Sequence, residues 1–459
     1  MNMKHQLNID SRYHLFWKVP VYMYITCGIC CIGILVLLIY NVDTLINSVV
    51  KQRIERAFVE RYPAYTLQIS TIKASYSAGV VRCDSITIVS RDSSVKISVA
   101  SSSIKGIHFT SLLSNYDDLQ SVVSDIVIET GAVVVTLQKS RYTLKCTRLV
   151  ISNADSNAIV ENIAYQPYIS DEEFFTKQVY RQSRYLLQVP DMHIRGVSFY
   201  SLFTNNQFYA RSVTLKDVKL DVLVNTYKPN NPKEQKPLMP MQALGLISQK
   251  FKIDSLVIDM IYSKYSEQVH KNTTPALIPF YKVHALITGI NNARTTNSLL
   301  TIKTYGYLFG NGKVSVNVQI PRDSPGSTFK YSGTIGRVDL KQLNSYLRIA
   351  ENRRLTSGVF IGATFSVAVG KGIARGKSRF LYKDVYITIL DAKTKSSAGV
   401  VNSIRTFLVN LFTIHGTNLP DTSGKVTNGI VKYTQKRTDS FFQLIWFSFR
   451  SGVENIIGF

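Results

Sequence analysis

The chain has 459 residues, 45% hydrophobic and 18% charged. That balance excludes a disordered chain and a polytopic membrane protein, and the length exceeds one ordinary compact core. Lys and Arg outnumber Asp and Glu by 54 to 30, a formal charge of +24; such a field draws nucleic acid, acidic polysaccharide or anionic lipid head groups without choosing among them.

After a short N-terminal segment, residues 1–18, the stretch 19–42 carries no charge and includes "VYMYITCGICCIGILVLLIY". As a helix it reaches about 36 Å, enough for a bilayer core of ~30 Å. Trp17, Tyr22 and Tyr40 stand near its ends, where interfacial aromatics belong. It is too long for a signal-peptide core, and no small-x-small cleavage site follows. The expectation is a single transmembrane anchor. Flanking charges (Lys4, Arg12 and Lys18 before; Lys51, Arg53, Arg56 and Arg61 after) do not set its direction. A long folded domain after a first span is translocated largely regardless of charge, so the N-terminus is placed in the cytoplasm and the rest outside. Three of the five cysteines, Cys27, Cys30 and Cys31, lie in this span. Cys83 and Cys146 remain, and read as two buried thiols rather than a disulfide.

Apolar residues Leu45, Ile46, Val49, Val50, Ile54, Ala57 and Phe58 recur at helical spacing, so a helical extension is expected over 43–60. Pro63 ends it. From 61 to 224 the period becomes two, as in "TLQISTIKAS", "VVRCDSITIVS" and "DIVIETGAVVVTLQ", rich in Val, Ile and Thr. These are strands with one apolar and one wet face. "MHIRGVSFYSLF" followed by "QFYARSVTLKDVKLDVLVN" reads as a strand, a short turn and another strand, and so does "KIDSLVIDMIYSKYSE", in a loose repeat. Residues 225–242, with four of the 13 prolines, read as an exposed loop. Strands resume over 243–439, interrupted by helical stretches at "KQLNSYLRIAENRR" and "SIRTFLVNLFTIHG"; "GKVTNGIVKYTQKR" reads as a strand pair.

Residues 440–459 form the expected C-terminal helix. On a wheel, Phe441, Phe442, Ile445, Trp446, Phe449, Val453, Ile456 and Ile457 share one side. Gln443, Arg450, Ser451, Glu454 and Asn455 share the other, and Leu444 and Phe447 blur the boundary. The helix is too short and too polar to span a bilayer. Its apolar side either caps the open end of the sheet or touches a membrane.

Catalytic signals are sparse. HExxH, G-x-S-x-G and Walker spacing are all missing, and the seven His are scattered. "GKGIARGKS" has glycines of a phosphate loop at the wrong spacing and reads as a strand turn. Asp254, Asp259 and Asp339 fall on separate elements. Arg82, Lys96, Lys145, Arg148, Lys216 and Lys219 are expected on solvated strand faces, where they also guard sheet edges. The chain therefore reads as non-enzymatic, without cofactor, metal or nucleic-acid partner. Its distinctive property is a long apolar sheet face with few helices to cover it. Either the sheet folds on itself or acyl chains fill the trough.

The anchor, "LINSVVKQRIERAFVERYPAYTLQISTIKAS", "VVRCDSITI", "FKYSGTIGRVDLKQLNSYL", "GKGIARGKSRFLYKDVYITIL" and the ending "SFFQLIWFSFRSGVENIIG" together resemble the AsmA-like family, relatives of TamB and the bridge-like lipid-transfer proteins. The resemblance covers about half the chain. It implies a mainly β fold: an N-terminal transmembrane helix, then an elongated, twisted β-groove with a few short helices, on the periplasmic side of a bacterial inner membrane. It also implies phospholipid binding and movement towards the outer membrane, in envelope lipid homeostasis. The alternative is an assembly factor for outer-membrane biogenesis acting through protein contacts. About 20 strands at ~4.8 Å each give a groove on the order of 100 Å.

Overall fold

The computed structural model describes residues 46–75, 78–107, 125–205, 207–233, 236–271, 273–293, 299–322, 327–390 and 416–457. The expected anchor, the helix expected at 403–416 and Ile457's side chain lie outside what is described. No helix among the described residues is long and apolar enough to cross a membrane.

The protein is mainly β, with one mixed sheet of 18 strands. The first nine are β1 (Tyr65–Ser75), β2 (Val80–Ser90), β3 (Val95–Lys105), β4 (Val127–Thr130), β5 (Val133–Leu137), β6 (Tyr142–Cys146), β7 (Arg148–Ser152), β8 (Asn157–Pro167) and β9 (Ser183–Arg195). The rest are β10 (Gln207–Val224), β11 (Lys250–Glu267), β12 (Ala276–Asn291), β13 (Leu299–Leu308), β14 (Gly312–Pro321), β15 (Phe329–Ile335), β16 (Arg353–Gly370), β17 (Ile373–Ile389) and β18 (Asn428–Thr434). Chain order is nearly spatial order, so the sheet is a meander. Strands β4 and β5 share one partner, β3, and both β6 and β7 pair with β8. Every pair is antiparallel except β10 with β11. A parallel neighbour needs a crossover rather than a hairpin, and the proline-rich segment supplies it. Pro240 to Gly245 at its end are helical, not loop.

Two strand readings need correction. The segment "KIDSLVIDMIYSKYSE", read as strand, turn and strand, lies within one 18-residue strand, β11, whereas "MHIRGVSFYSLF" and "QFYARSVTLKDVKLDVLVN" do contribute to successive antiparallel strands, β9 and β10. What looked like a turn in β11 is an irregularity in its pairing with β10. Ser85, Asn162, Asp217 and Lys282 take left-handed φ of 48, 52, 54 and 48°. Across such a residue the alternation flips: buried Val81 and Cys83 give way to buried Ile86 and Ile88 across Ser85. One face thus stays apolar on both sides of it; at Asp217 and Lys282 the register with a neighbouring strand also shifts, as in a β-bulge. The second correction concerns "GKVTNGIVKYTQKR", which makes one strand, β18, and not a pair. The glycine-rich "GKGIARGKS" contains the β16–β17 hairpin turn, with Lys371 and Gly372 at φ 51 and 79°. Both central residues of a type I′ turn need positive φ.

The helices are α1 (Ile46–Arg61), α2 (Asp171–Thr176), α3 (Phe199–Thr204), α4 (Pro240–Gly245), α5 (Asn344–Ala350) and α6 (Phe441–Ile457). A 3₁₀ turn, Leu340–Leu343, capped by Asp339, precedes α5. Ile54 and Phe58 of α1 join Leu67, Ile88, Ile97 and Ile128 in a core over β1 to β5. α2 is tied down by Arg184, nearly buried, which meets Asp171 at 2.9 Å and Asp221 at 3.2 Å. Cys83 is buried and Cys146 half-buried, and the two do not form a disulfide. Burial pushes the Cys146 thiol up from its ordinary pKa.

Candidate functional site

Hydrogen-bond register places one residue from each of sixteen strands in a single cross-strand row. It begins Ala74, Val81, Ile104, Ile128, Ile151, Ala158 and Ile194. It continues through Val213, Leu256, Ile287, Ile302 and Val318. It ends with Tyr331, Val367, Gly376 and Val431. No member is charged. At ~4.8 Å per strand the row is about 70 Å long, shorter than the 100 Å expected, because the β4/β5 and β6/β7 pairs each occupy one strand's width.

Burial varies along this row. At the first end Val81, Ile104 and Ile128 expose 0 to 2% of their surface, in the same core as Ile54 and Phe58 of α1. At the last end Tyr331, Val367 and Val431 expose 1 to 2%, in the same cluster as Phe441 and Leu444 of α6. Between them Ile194, Leu256, Ile287 and Ile302 are half-buried, while Ala158, Val213 and Val318 are buried. Near these, Met192, Leu215, Ile258 and Val316 are half-buried too, and Ile261 is exposed. Helices α3 and α4 bring Phe199, Leu202, Met239 and Ala243 to the same apolar cluster. The middle of the row is therefore an apolar strip, partly open, between two closed ends.

Helix α6 follows the sequence in extent and departs from it in facing. Phe441 is buried against Phe329, ring centroids 5.0 Å apart. Phe449 packs on Phe365 and Phe380 at 5.1 and 5.4 Å. Val453 and Ile456 meet Phe380 and Tyr382, and Ile445 is half-buried. Phe442 is 77% exposed and Trp446 46%, so they point away from the packed stripe. The true centre is Leu444 and Ser448, both fully buried. Ser448 lies 2.7 Å from the Tyr331 hydroxyl, whose pKa burial pushes up to about 12. A wheel weighted by hydrophobicity could not find a serine as a contact point; the Gly452 one turn later was the available signal of close approach. Gly452 crosses β18 at Gly429, where an added Cβ would come 2.2 Å from the Gly452 carbonyl oxygen.

Both end helices also satisfy backbone groups of the sheet's outer strands. On β18 the N–H groups of Ile430 and Lys432 donate to Asn455 Oδ1 and Ser451 Oγ at 2.8 and 3.3 Å. On β1 the Ile69 N–H donates to Glu55 Oε1 at 2.9 Å. Edge strands otherwise present unpaired groups to any passing chain. Ser451 and Asn455, on the wheel's polar side, are thus edge guards.

The opposite face is polar. Arg82, Lys96, Lys145, Arg148, Lys216 and Lys219 are all exposed there or along its margins. Two His–Asp contacts form: His284 Nδ1 with Asp259 at 2.5 Å and His193 Nε2 with Asp191 at 2.8 Å. His284 stacks on Tyr305. Asp254 accepts from the Tyr209 hydroxyl at 2.6 Å and pairs with Lys252 at 2.9 Å, which hold its pKa below the ordinary value. No group of three or more metal-ligating side chains occurs among the described residues.

Fold and site together define a mainly β protein built on one meandering mixed sheet, with an apolar strip closed by a helix at each end. No protein-family model matches the sequence, and no curated protein is significantly similar to it.

Proposed function

We propose that this protein is a non-enzymatic lipid binder, anchored in a bacterial inner membrane and working in the periplasm. Phospholipid acyl chains occupy a twisted β-groove of the kind the AsmA-like resemblance implies, and pass along it towards the outer membrane. The observation that supports this reading is the half-buried state of Leu256, Ile287 and Ile302 in the middle of the sixteen-strand row, among the described residues. Apolar surface left in water is unfavourable by roughly 25 cal/mol per Å², and acyl chains remove that penalty without needing polar partners. The filled cores at the two ends favour a second reading, a scaffold for outer-membrane biogenesis that acts through protein contacts.

Native mass spectrometry separates the two. The full-length protein is exchanged into a non-lipid detergent and washed. Retained phospholipid is expected, and it should be lost in a Leu256→Asp/Ile302→Asp variant that still melts cooperatively. A well-folded wild type that retains no lipid would move the reading to the scaffold.

A further inference from the structure

The polar faces of the two halves of the sheet differ in charge pairing. In the first half, Glu129 binds Lys105 and Arg148 at 3.1 and 2.8 Å, and Arg148 also reaches Glu161 at 3.0 Å. From β13 to β17, Lys303, Lys313, Lys330, Arg375, Lys377 and Arg379 are all exposed. None of them makes an ion pair among the described residues. The sole carboxylate in these five strands is Asp384, on a left-handed residue beside Lys383.

A cleft of about 400 Å³ lies in this cationic face. It is built by register. One row runs Tyr305, Ser315, Thr334, Thr364, Arg379 across β13 to β17. The next runs Lys313, Gly336, Gly362, Leu381. The hollow exists because two neighbouring strands place glycine there; a Cβ at Gly336 would make only ordinary contacts with Lys313. Lys313 and Arg379 stand on opposite sides. The floor hydroxyls of Ser315, Thr334 and Thr364 make no side-chain hydrogen bond among the described residues. The five-residue row ends on Tyr305, 46% exposed, and covers about 19 Å at ~4.8 Å per strand.

We infer that this cleft binds an acidic oligosaccharide, a linear sugar chain bearing carboxylate, phosphate or sulfate groups. Unpaired cations supply charge-assisted bonds to the anionic groups. Free hydroxyls match the sugar's own donors and acceptors, and an exposed tyrosine ring offers a flat apolar surface to a sugar face. A bilayer surface fits less well: it is flat, it makes no use of a cleft lined by hydroxyls, and the exposed aromatics of α6 belong to the helix packed on the apolar face.

The test uses the full-length protein in detergent and a fluorescent heparin octasaccharide at fixed salt, read by anisotropy. Lys313→Gln/Arg379→Gln should weaken binding by about tenfold or more. Gly336→Val, which fills the hollow without changing charge, should weaken it by about tenfold. Arg82→Gln/Lys96→Gln, on the first half, should change it less than about twofold. Should Gly336→Val fail to fold, Thr334→Val/Thr364→Val replaces it with the same expectation. Equal losses in both charge variants, with no response to the filled hollow, would reduce the effect to the field of the whole chain and overturn the assignment. So would binding of phosphatidylglycerol vesicles or single-stranded DNA that tracks the cleft variants while the octasaccharide does not.

Discussion

Strands β1 to β5 and strands β10 to β13 have the same Val- and Ile-rich alternation, yet they bury it differently. In the first group Ile88, Ile97 and Ile104 expose 1 to 2% of their surface. In the second, Leu256, Ile287 and Ile302 remain half-buried. The difference is not in the strands. Among the described residues it lies in the helices: Ile54 and Phe58 of α1 join the first group's core, whereas α3 and α4 bring Phe199, Leu202 and Met239 to the second. A two-residue period reports that a face is apolar; it does not report what lies on top of it.

The largest effects should come from the closed ends. Ile97→Ala and Leu444→Ala each remove a fully buried side chain and should lower stability by about 3 kcal/mol, read by denaturant unfolding. If either costs under about 1 kcal/mol, that end is open like the middle. Ser448→Ala should cost about 1–2 kcal/mol because it strips the buried Tyr331 hydroxyl of its best partner. Paired with Tyr331→Phe, the loss should be smaller than the sum of the two singles. Ile302→Ala, in the half-buried strip, should cost only about 1 kcal/mol. A value near 3 would mean that the strip is as closed as the ends.

A smaller effect concerns pH at the first end. Lys139, then the hydroxyls of Ser94 and Ser90 and the Ser94 N–H, hold the Asp92 carboxyl well below the usual carboxylate range. A depressed folded pKa means that the stabilisation is complete above the unfolded value of about 4 and is lost as pH falls below it. Thermal melts from pH 7 to 3 should therefore be steeper in acid for the wild type than for Asp92→Asn. Parallel curves would remove Asp92 from the account. Smallest of all, Phe442→Ala should change stability by less than about 0.5 kcal/mol, since its ring is 77% exposed. A large loss would place Phe442 inside the end closure after all.

Much of this was legible in the chain. Period two named the strands of both halves, Pro63 ended α1, and the extent of α6 followed from its aromatic spacing. Less legible were the features that depend on a register. The left-handed residues Ser85, Asn162, Asp217 and Lys282 reverse the alternation in mid-strand, and from sequence a reversal is indistinguishable from a turn. Asn455 fell on the wheel's polar side and Ser448 on neither until the β-sheet supplied the Ile430 N–H and Tyr331 as partners. Gly336 and Gly362 are far apart in the chain and shape one cleft only because β15 lies beside β16.

By itself the sequence determined the local periods: apolar alternation, helix breaks and the excess of positive charge, all set by neighbouring residues along the chain. Only the tertiary structure decided that sixteen strands align their apolar side chains in one row, where that row is covered, and which cations go unpaired. Those properties arise from hydrogen-bond register between strands, and register is fixed by contacts across the sheet rather than along the chain.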